Sequence, residues 1–225
     1  MNGQGSFATL ASAEIYNPAT GRWSSAGNMA SARVNFTLTL LADGRVMALG
    51  GYTTPNGGLP LATAELYDPL SNTWKLASLT GSSDRGSHTA TLVSTGQVLV
   101  AGGYDASGLP TRTAALYDPV REQWTAAASM RVPRAEATAT LLADRRVLVL
   151  AGTANWVTTE IYDPSTDTWS PGLELNDGRS TQSATLLLDG RILAAGGTDI
   201  DNNYLTSAEL LDLAAQRAAR EPPRP

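Results

Sequence analysis

A unit of about fifty residues recurs four times in this chain, and a repeat of that length constrains the fold more than any single motif. Its cleanest copy runs from Arg85 to Trp124 and reads RGSHTATLVSTGQVLVAGGYDASGLPTRTAALYDPVREQW. Three sets of positions keep the register. Tyr16 and Trp23, Tyr67 and Trp74, Tyr117 and Trp124, and Tyr162 and Trp169 are each seven residues apart. Thr39 and Gly51, Thr91 and Gly103, Thr140 and Gly152, and Thr185 and Gly197 are each twelve apart. Arg33, Arg85, Arg134 and Arg179 each stand six residues before one of those threonines. Successive tyrosines differ by 51, 50 and 45 residues, and the variation falls in the loop after the glycines.

Each copy divides into four short strands. The first is of the type Thr89-Ala90-Thr91-Leu92, whose small alternating side chains suit an inner strand crowded near an axis. Asp43-Gly44, Thr95-Gly96 and Asp189-Gly190 then suit a two-residue hairpin turn, with Gly supplying positive φ. The third copy has Asp144-Arg145, which predicts a looser or strained turn. The second strand, as in Val98-Leu99-Val100-Ala101, is apolar on both faces and so is covered on both. It ends at Gly50-Gly51, Gly102-Gly103 and Gly196-Gly197, where the backbone bends or is closely approached; the third copy has Ala151-Gly152. The third strand, as in Ala64-Glu65-Leu66-Tyr67, stops at Asp68-Pro69, Asp118-Pro119 and Asp163-Pro164, with Asn17-Pro18 in the first copy. There the Asx side chain bonds the backbone two residues on while Pro fixes φ. The tryptophan opens the fourth strand, and its burial dominates local packing.

Units that cannot bury both faces alone must lean on one another, which predicts an all-β propeller of four-stranded antiparallel blades. About four to five blades are expected, forming an incomplete or open ring. The parts are 1–30, 31–80, 81–130, 131–175 and 176–213, followed by an Arg/Ala/Pro-rich tail, 214–225. Asn2-Gly3-Gln4-Gly5 reads as the remnant of a glycine loop.

Composition narrows the function classes. The net charge is −5 and no basic cluster stands out, so the electrostatic footprint of a nucleic-acid binder is missing. No apolar run approaches the roughly 18 residues that span a bilayer. The start of the chain lacks the basic and apolar regions of a signal peptide, with a lean toward a secreted or surface location if the chain derives from a longer precursor. Cysteine is absent, which excludes disulfides, thiolate nucleophiles and Cys-ligated metals.

These motifs, T-A-T-L through V-L-V-A-G-G and then Tyr-Asp-Pro with a following Trp, resemble bacterial kelch repeats. The chain is similar to the kelch propeller domain of galactose-oxidase-like proteins over nearly its whole length. The final copy departs from the pattern, with Leu211-Asp212-Leu213 in place of Tyr-Asp-Pro and no Trp after it. Copper radical oxidation in such enzymes needs His and Tyr ligands and a Tyr–Cys crosslink. With no Cys and the single His88, this chain cannot assemble that chemistry, and no cofactor is expected.

Other catalytic constellations are equally thin. His88 stands where the other copies have Phe36, Ala137 and Gln182, a tolerant register rather than that of a ligand or base. No G-x-S-x-G elbow occurs. Asp199-x-Asp201-x-Asn203 begins like a calcium loop but has Tyr204 at the sixth position and Leu210 at the twelfth, so no metal is expected.

The ligand-binding candidates are of two kinds. Arg33, Arg85, Arg134 and Arg179 precede the innermost strands at a fixed offset and should ring one mouth of the channel. There they either bind a carboxylate, sulfate or an acidic peptide by bidentate contacts or hold the blades together. Glu14, Glu65, Glu160 and Glu209 recur as possible partners, with Ala115 in the remaining copy. The loops Tyr52–Ala62, Tyr104–Arg112, Thr153–Val157 and Thr198–Thr206 carry Tyr52, Tyr104, Trp156 and Tyr204, which suit protein or sugar contact. Three readings compete. The first is a non-catalytic module binding a protein or glycan through these loops and an Arg-lined mouth. The second is a kelch-type enzyme acting on an acidic sugar, such as a sialic-acid mutarotase-like protein. The third is a structural repeat segment of a larger surface protein, with further blades beyond this chain.

Overall fold

The computed structural model describes residues 8–55, 57–77, 84–153 and 157–213. A hairpin comes first, β1 (Ser12–Asn17) with β2 (Arg22–Asn28). Three four-stranded sheets follow: β3 (Thr37–Leu40), β4 (Val46–Leu49), β5 (Ala64–Asp68) and β6 (Thr73–Leu76); β7 (Thr89–Leu92), β8 (Val98–Ala101), β9 (Ala114–Asp118) and β10 (Gln123–Ala127); β11 (Thr138–Leu141), β12 (Val147–Leu150), β13 (Thr159–Asp163) and β14 (Thr168–Pro171). β15 (Ser183–Leu186), β16 (Ile192–Ala195) and β17 (Ala208–Leu211) make a fourth, three-stranded sheet. Every pairing is antiparallel between sequence neighbours. Among the described residues no helix is long and apolar enough to cross a membrane.

The sheets stand as four successive blades of a propeller. Their innermost strands touch in the order β3, β7, β11, β15, and among the described residues no contact of similar extent returns from β15 to β3. The arrangement is an open arc. Two faces of each sheet are set by the period-2 alternation. Met47, Leu49 and Leu66 of the first blade pack on Val98, Val100 and Tyr117 of the second, with Ala90, Leu92 and Trp124 at the margin. Leu99 and Ala101 meet Val149 and Tyr162 in the next interface, and Leu148, Leu150 and Ile161 meet Ile192, Ala194 and Leu211 in the last. The tyrosine and tryptophan of each copy pair in register on adjacent strands, ring centroids 4.9–5.2 Å apart. The indole reaches across the interface: Trp74 Nε1 donates to Ala26 O at 2.9 Å, and Trp169 Nε1 to Ala128 O at 2.7 Å.

Turn chemistry follows the sequence with one correction. The inner hairpins use three-residue loops rather than two: Leu41 N donates to Arg45 O and Gly44 N to Leu41 O, with Gly44 at φ +89°. A three-residue loop closed by a left-handed residue matches strand twist as well as a two-residue turn does. Arg145 takes the same place at φ +72° and keeps the same bond, Arg145 N to Leu142 O at 3.0 Å. That turn is strained, not looser, because a side chain occupies the left-handed region. The Asx turns form as expected, with Asp68, Asp118 and Asp163 each accepting from the amide two residues on. Trp156, the start Asn2-Gly3-Gln4-Gly5 and the tail 214–225 lie outside the described residues.

Interface burial sets an ordered expectation for the indoles. Trp124 is packed between blades, whereas Trp23, at the unpartnered end of the arc, is 64% exposed. Chemical denaturation should show Trp124→Ala losing about 3 kcal/mol and Trp23→Ala within about 0.5 kcal/mol of wild type.

Candidate functional site

The four arginines lie at the end of each innermost strand, and their backbone and side chain bond in opposite directions. The Arg85 carbonyl, in the second blade, accepts Gly51 N of the first at 3.0 Å; Arg134 O accepts Gly103 N at 2.7 Å; Arg179 O accepts Gly152 N at 3.0 Å. This close approach explains the first glycine of the first two pairs. Gly50 and Gly102 have φ +61° and +67°, and a Cβ at either would collide with the next blade's Arg carbonyl. Ala151 holds the equivalent place at φ +56° and is fully buried.

The guanidiniums turn back into their own blades. Arg33 Nη1 donates to Gly50 O and Thr63 O, and Nη2 to Thr63 Oγ1 and Glu65 Oε1 at 2.7 Å. Arg134 repeats this with Ala151 O, Thr158 and Glu160, and Arg179 with Gly196 O, Ser207 and Glu209. Arg85 donates to Gly102 O and Thr113, with Ala115 at the carboxylate position. All four arginines are at most 4% exposed. Burial pulls the Arg85 and Arg134 guanidiniums below the usual arginine range, opposed at Arg134 by Glu160 and at Arg85 by the Asp84 charge. The glutamates do a second job on the segment that crosses between blades. Glu65 accepts Ala30 N and Ser31 N, Glu160 accepts Arg131 N and Val132 N, and Glu209 accepts Asn176 N and Asp177 N. Burial raises Glu209, but the bonds from Asn176 and Arg179 outweigh it and hold the carboxyl below its ordinary value. Of the two roles the sequence left open for the arginines, these bonds favour the internal strut.

What stands at the axial end instead is a ring that the sequence reading did not single out. Asn35, Ser87, Glu136 and Thr181, two residues after each arginine, all have φ between +53° and +57°. They join blade to blade through the main chain: Ser87 N to Asn35 O at 2.9 Å, Glu136 N to Ser87 O at 2.8 Å, Thr181 N to Glu136 O at 3.0 Å. The signal was positional, but four different residue types hid it. Non-glycine residues in the left-handed region cost energy and persist only where neighbouring contacts fix them. Glu136 is the charged member of the ring. Burial raises the Tyr52 and Tyr104 hydroxyls, and the nearby Glu136 charge raises both further.

The loops project beyond this ring. Tyr52 and Tyr104 extend their sheets by single bridges, Val34–Tyr52–Pro60 and Gly86–Tyr104–Pro110, and Thr198 does so between Ser180 and Tyr204. The Tyr52 ring lies against Gly86 of the next blade and is buried, so it serves as inter-blade cover. Tyr204 is presented to solvent, 89% exposed, as are Leu59 (76%) and Leu109 (63%), which the sequence reading passed over. Asp199 has its oxygens occupied by Asp201 N, Asn203 N and Asn203 Nδ2, which closes its loop as an Asx turn. At the opposite end a recurring Asp-x-Arg also went unread: Arg45 pairs with Asp43 and donates to Pro119 O of the next blade at 2.9 Å, and Arg146 and Arg191 pair with Asp144 and Asp189.

His88 is a strut between blades, its Nε2 2.9 Å from Thr37 Oγ1, and Gln182 does likewise toward Leu150 O. Burial, then the nearby Arg85 charge, lowers the imidazole from 6.5 to about 3. The unfolded chain takes up a proton near 6.5 and the folded chain does not, so this contribution to stability is complete above 6.5 and declines as pH falls toward 3. His88→Gln should therefore show a smaller fall in urea midpoint than wild type between neutral and mildly acidic pH. Removing a carboxylate from a buried pair strands the guanidinium, so Glu160→Ala should cost about 3–5 kcal/mol in the same measurement.

The family model of the Kelch motif matches residues 39–78 and 85–131. Those stretches span most of the first two blades. No curated protein shows significant similarity to the chain.

Proposed function

Because the chain is a kelch-repeat β-propeller, we propose that it is a non-catalytic interaction module that takes a protein partner on the loops crowning its axial end. Kelch repeats in a propeller generally mediate protein interaction. The observation that carries the reading is the exposure of Leu59, Leu109 and Tyr204 on three loops of one end, above blades latched to each other through the main chain. Large apolar side chains exposed on neighbouring loops of one end support a contact surface there, and a rigid scaffold spares the ordering cost of binding. Glu136 with Tyr104 gives the same end a carboxylate beside an aromatic ring, which suits a basic side chain of the partner. The four arginines that the sequence offered for an acidic sugar are buried.

The test uses peptide and glycan arrays probed with the whole chain. The triple variant Leu59→Ser, Leu109→Ser, Tyr204→Ser should lose about tenfold or more in retention on peptides, with unchanged thermal unfolding. The control Leu70→Ser, Val120→Ser, at exposed turns of the opposite end, should bind as wild type. Equal losses from both variants, or retention confined to glycans, would overturn the loop reading.

A further inference from the structure

Glu136 is the acidic member of the axial ring, and the blades bring two tyrosines to its side. Its amide bonds Ser87 O at 2.8 Å, which seats it against the Gly86-Ser87 corner of the second blade. Tyr104 closes the same corner by bonding Gly86 in both directions, Tyr104 N to Gly86 O at 2.9 Å and Gly86 N to Tyr104 O at 3.2 Å. Tyr52 reaches that corner from the first blade, since a side chain at Gly86 would collide with its Cε2, Cζ and hydroxyl. The two rings lie at different depths. Gly86 lets Tyr52 rest on bare backbone, and Tyr52 is buried. In the next interface the same register position is Ala135, where a methyl occupies that space, and Tyr104 is half-buried.

The Glu136 carboxylate has no cation of its own. Glu65, Glu160 and Glu209 each pair with an arginine, whereas Glu136 takes part in no ion pair among the described residues. The crowning loops do not supply the missing charge. Loops 52–62 and 153–157 hold no charged residue, and 104–112 and 198–206 hold Asp105, Asp199 and Asp201 against Arg112 alone. Glu136 is also half-buried and sits in left-handed backbone at φ +57°. Strain of that kind collects where a ligand is held.

Resting on the reading of the loops as a partner surface, we propose that the axial end takes an arginine of that partner as its anchor, the guanidinium pairing with Glu136 and lying on the Tyr104 ring. A planar guanidinium suits both groups: it meets a carboxylate with two parallel N–H donors and stacks on an aromatic face. An ammonium offers only a compact, strongly hydrated charge. Apolar residues flanking that arginine in the partner meet Leu59, Leu109 and Tyr204. The acidic balance of the loops steers a basic segment toward this end before contact.

The probe is a peptide array in one leucine-alanine frame, with the central residue set to Arg, Lys, Gln or Glu, incubated with the whole chain. Retention should be about tenfold or more higher for Arg than for Gln or Glu, with Lys between. Glu136→Gln should bring the Arg peptide to within about twofold of the Gln peptide and leave retention of the frame itself unchanged. Tyr104→Leu is an independent arm and should bring Arg down to the level of Lys. The triple serine variant of the loops should instead weaken every peptide alike, so loss of the anchor and loss of the loop surface are read separately. Glu122→Gln, at the turns of the opposite end, should keep the wild-type preference. Thermal unfolding of Glu136→Gln should match wild type, because the ring bonds use its main chain only. Equal retention of the Arg and Gln peptides by the wild-type chain, or an Arg preference that survives Glu136→Gln, would overturn the proposal and leave the loop reading standing. No retention of any peptide would overturn both.

Discussion

A buried arginine that faces two ways holds this propeller together. Its carbonyl accepts a glycine amide of the preceding blade, and its guanidinium clamps the ends of the second and third strands of its own. A guanidinium removed from water is tolerable only if nearly all its donors find acceptors. The fold meets that demand with the last carbonyl of the second strand, a Thr or Ser backbone and hydroxyl, and a glutamate. The glutamate then has oxygens to spare, and it spends them on the two amides of the inter-blade crossing, which would otherwise lack partners. Blade, crossing and neighbour are thus tied through one residue pair.

This economy explains why departures from the repeat fall where they do. Ala115 removes the carboxylate in the second blade, and Arg85 keeps Gly102 O and Thr113 as acceptors. Ala151 puts a methyl where glycine relieves crowding, yet the main-chain bond from Gly152 to Arg179 O persists. Both departures leave the blade-to-blade bonds in place. The ring at Asn35, Ser87, Glu136 and Thr181 shows the converse: its bonds use only backbone atoms, so its side chains are free to differ. Freedom of sequence on a fixed main chain is what a recognition surface requires, and the axial end of the arc has it.

Strand count, blade identity and the Tyr/Trp pairing were legible from spacing, because a repeated period can satisfy its hydrophobic alternation only by stacking on copies of itself. The site was less so. Arginines at a fixed offset read as struts or as a ligand ring, since register gives position around the axis but not the direction of a side chain six bonds long. Their burial favours the struts. Leu59 and Leu109 were invisible for the opposite reason: an apolar residue beside a proline in a loop looks like loop packing until its neighbours are known to be absent.

The amino-acid sequence alone determined that this chain forms antiparallel blades of short strands, because periodic burial, turn residues and aromatic pairs are all local in origin. Only the tertiary structure decided which polar groups meet across blades and which end presents exposed apolar residues. Those outcomes depend on neighbours in space from different repeats, and near-identical repeats carry almost no information about which copy stands beside which surface.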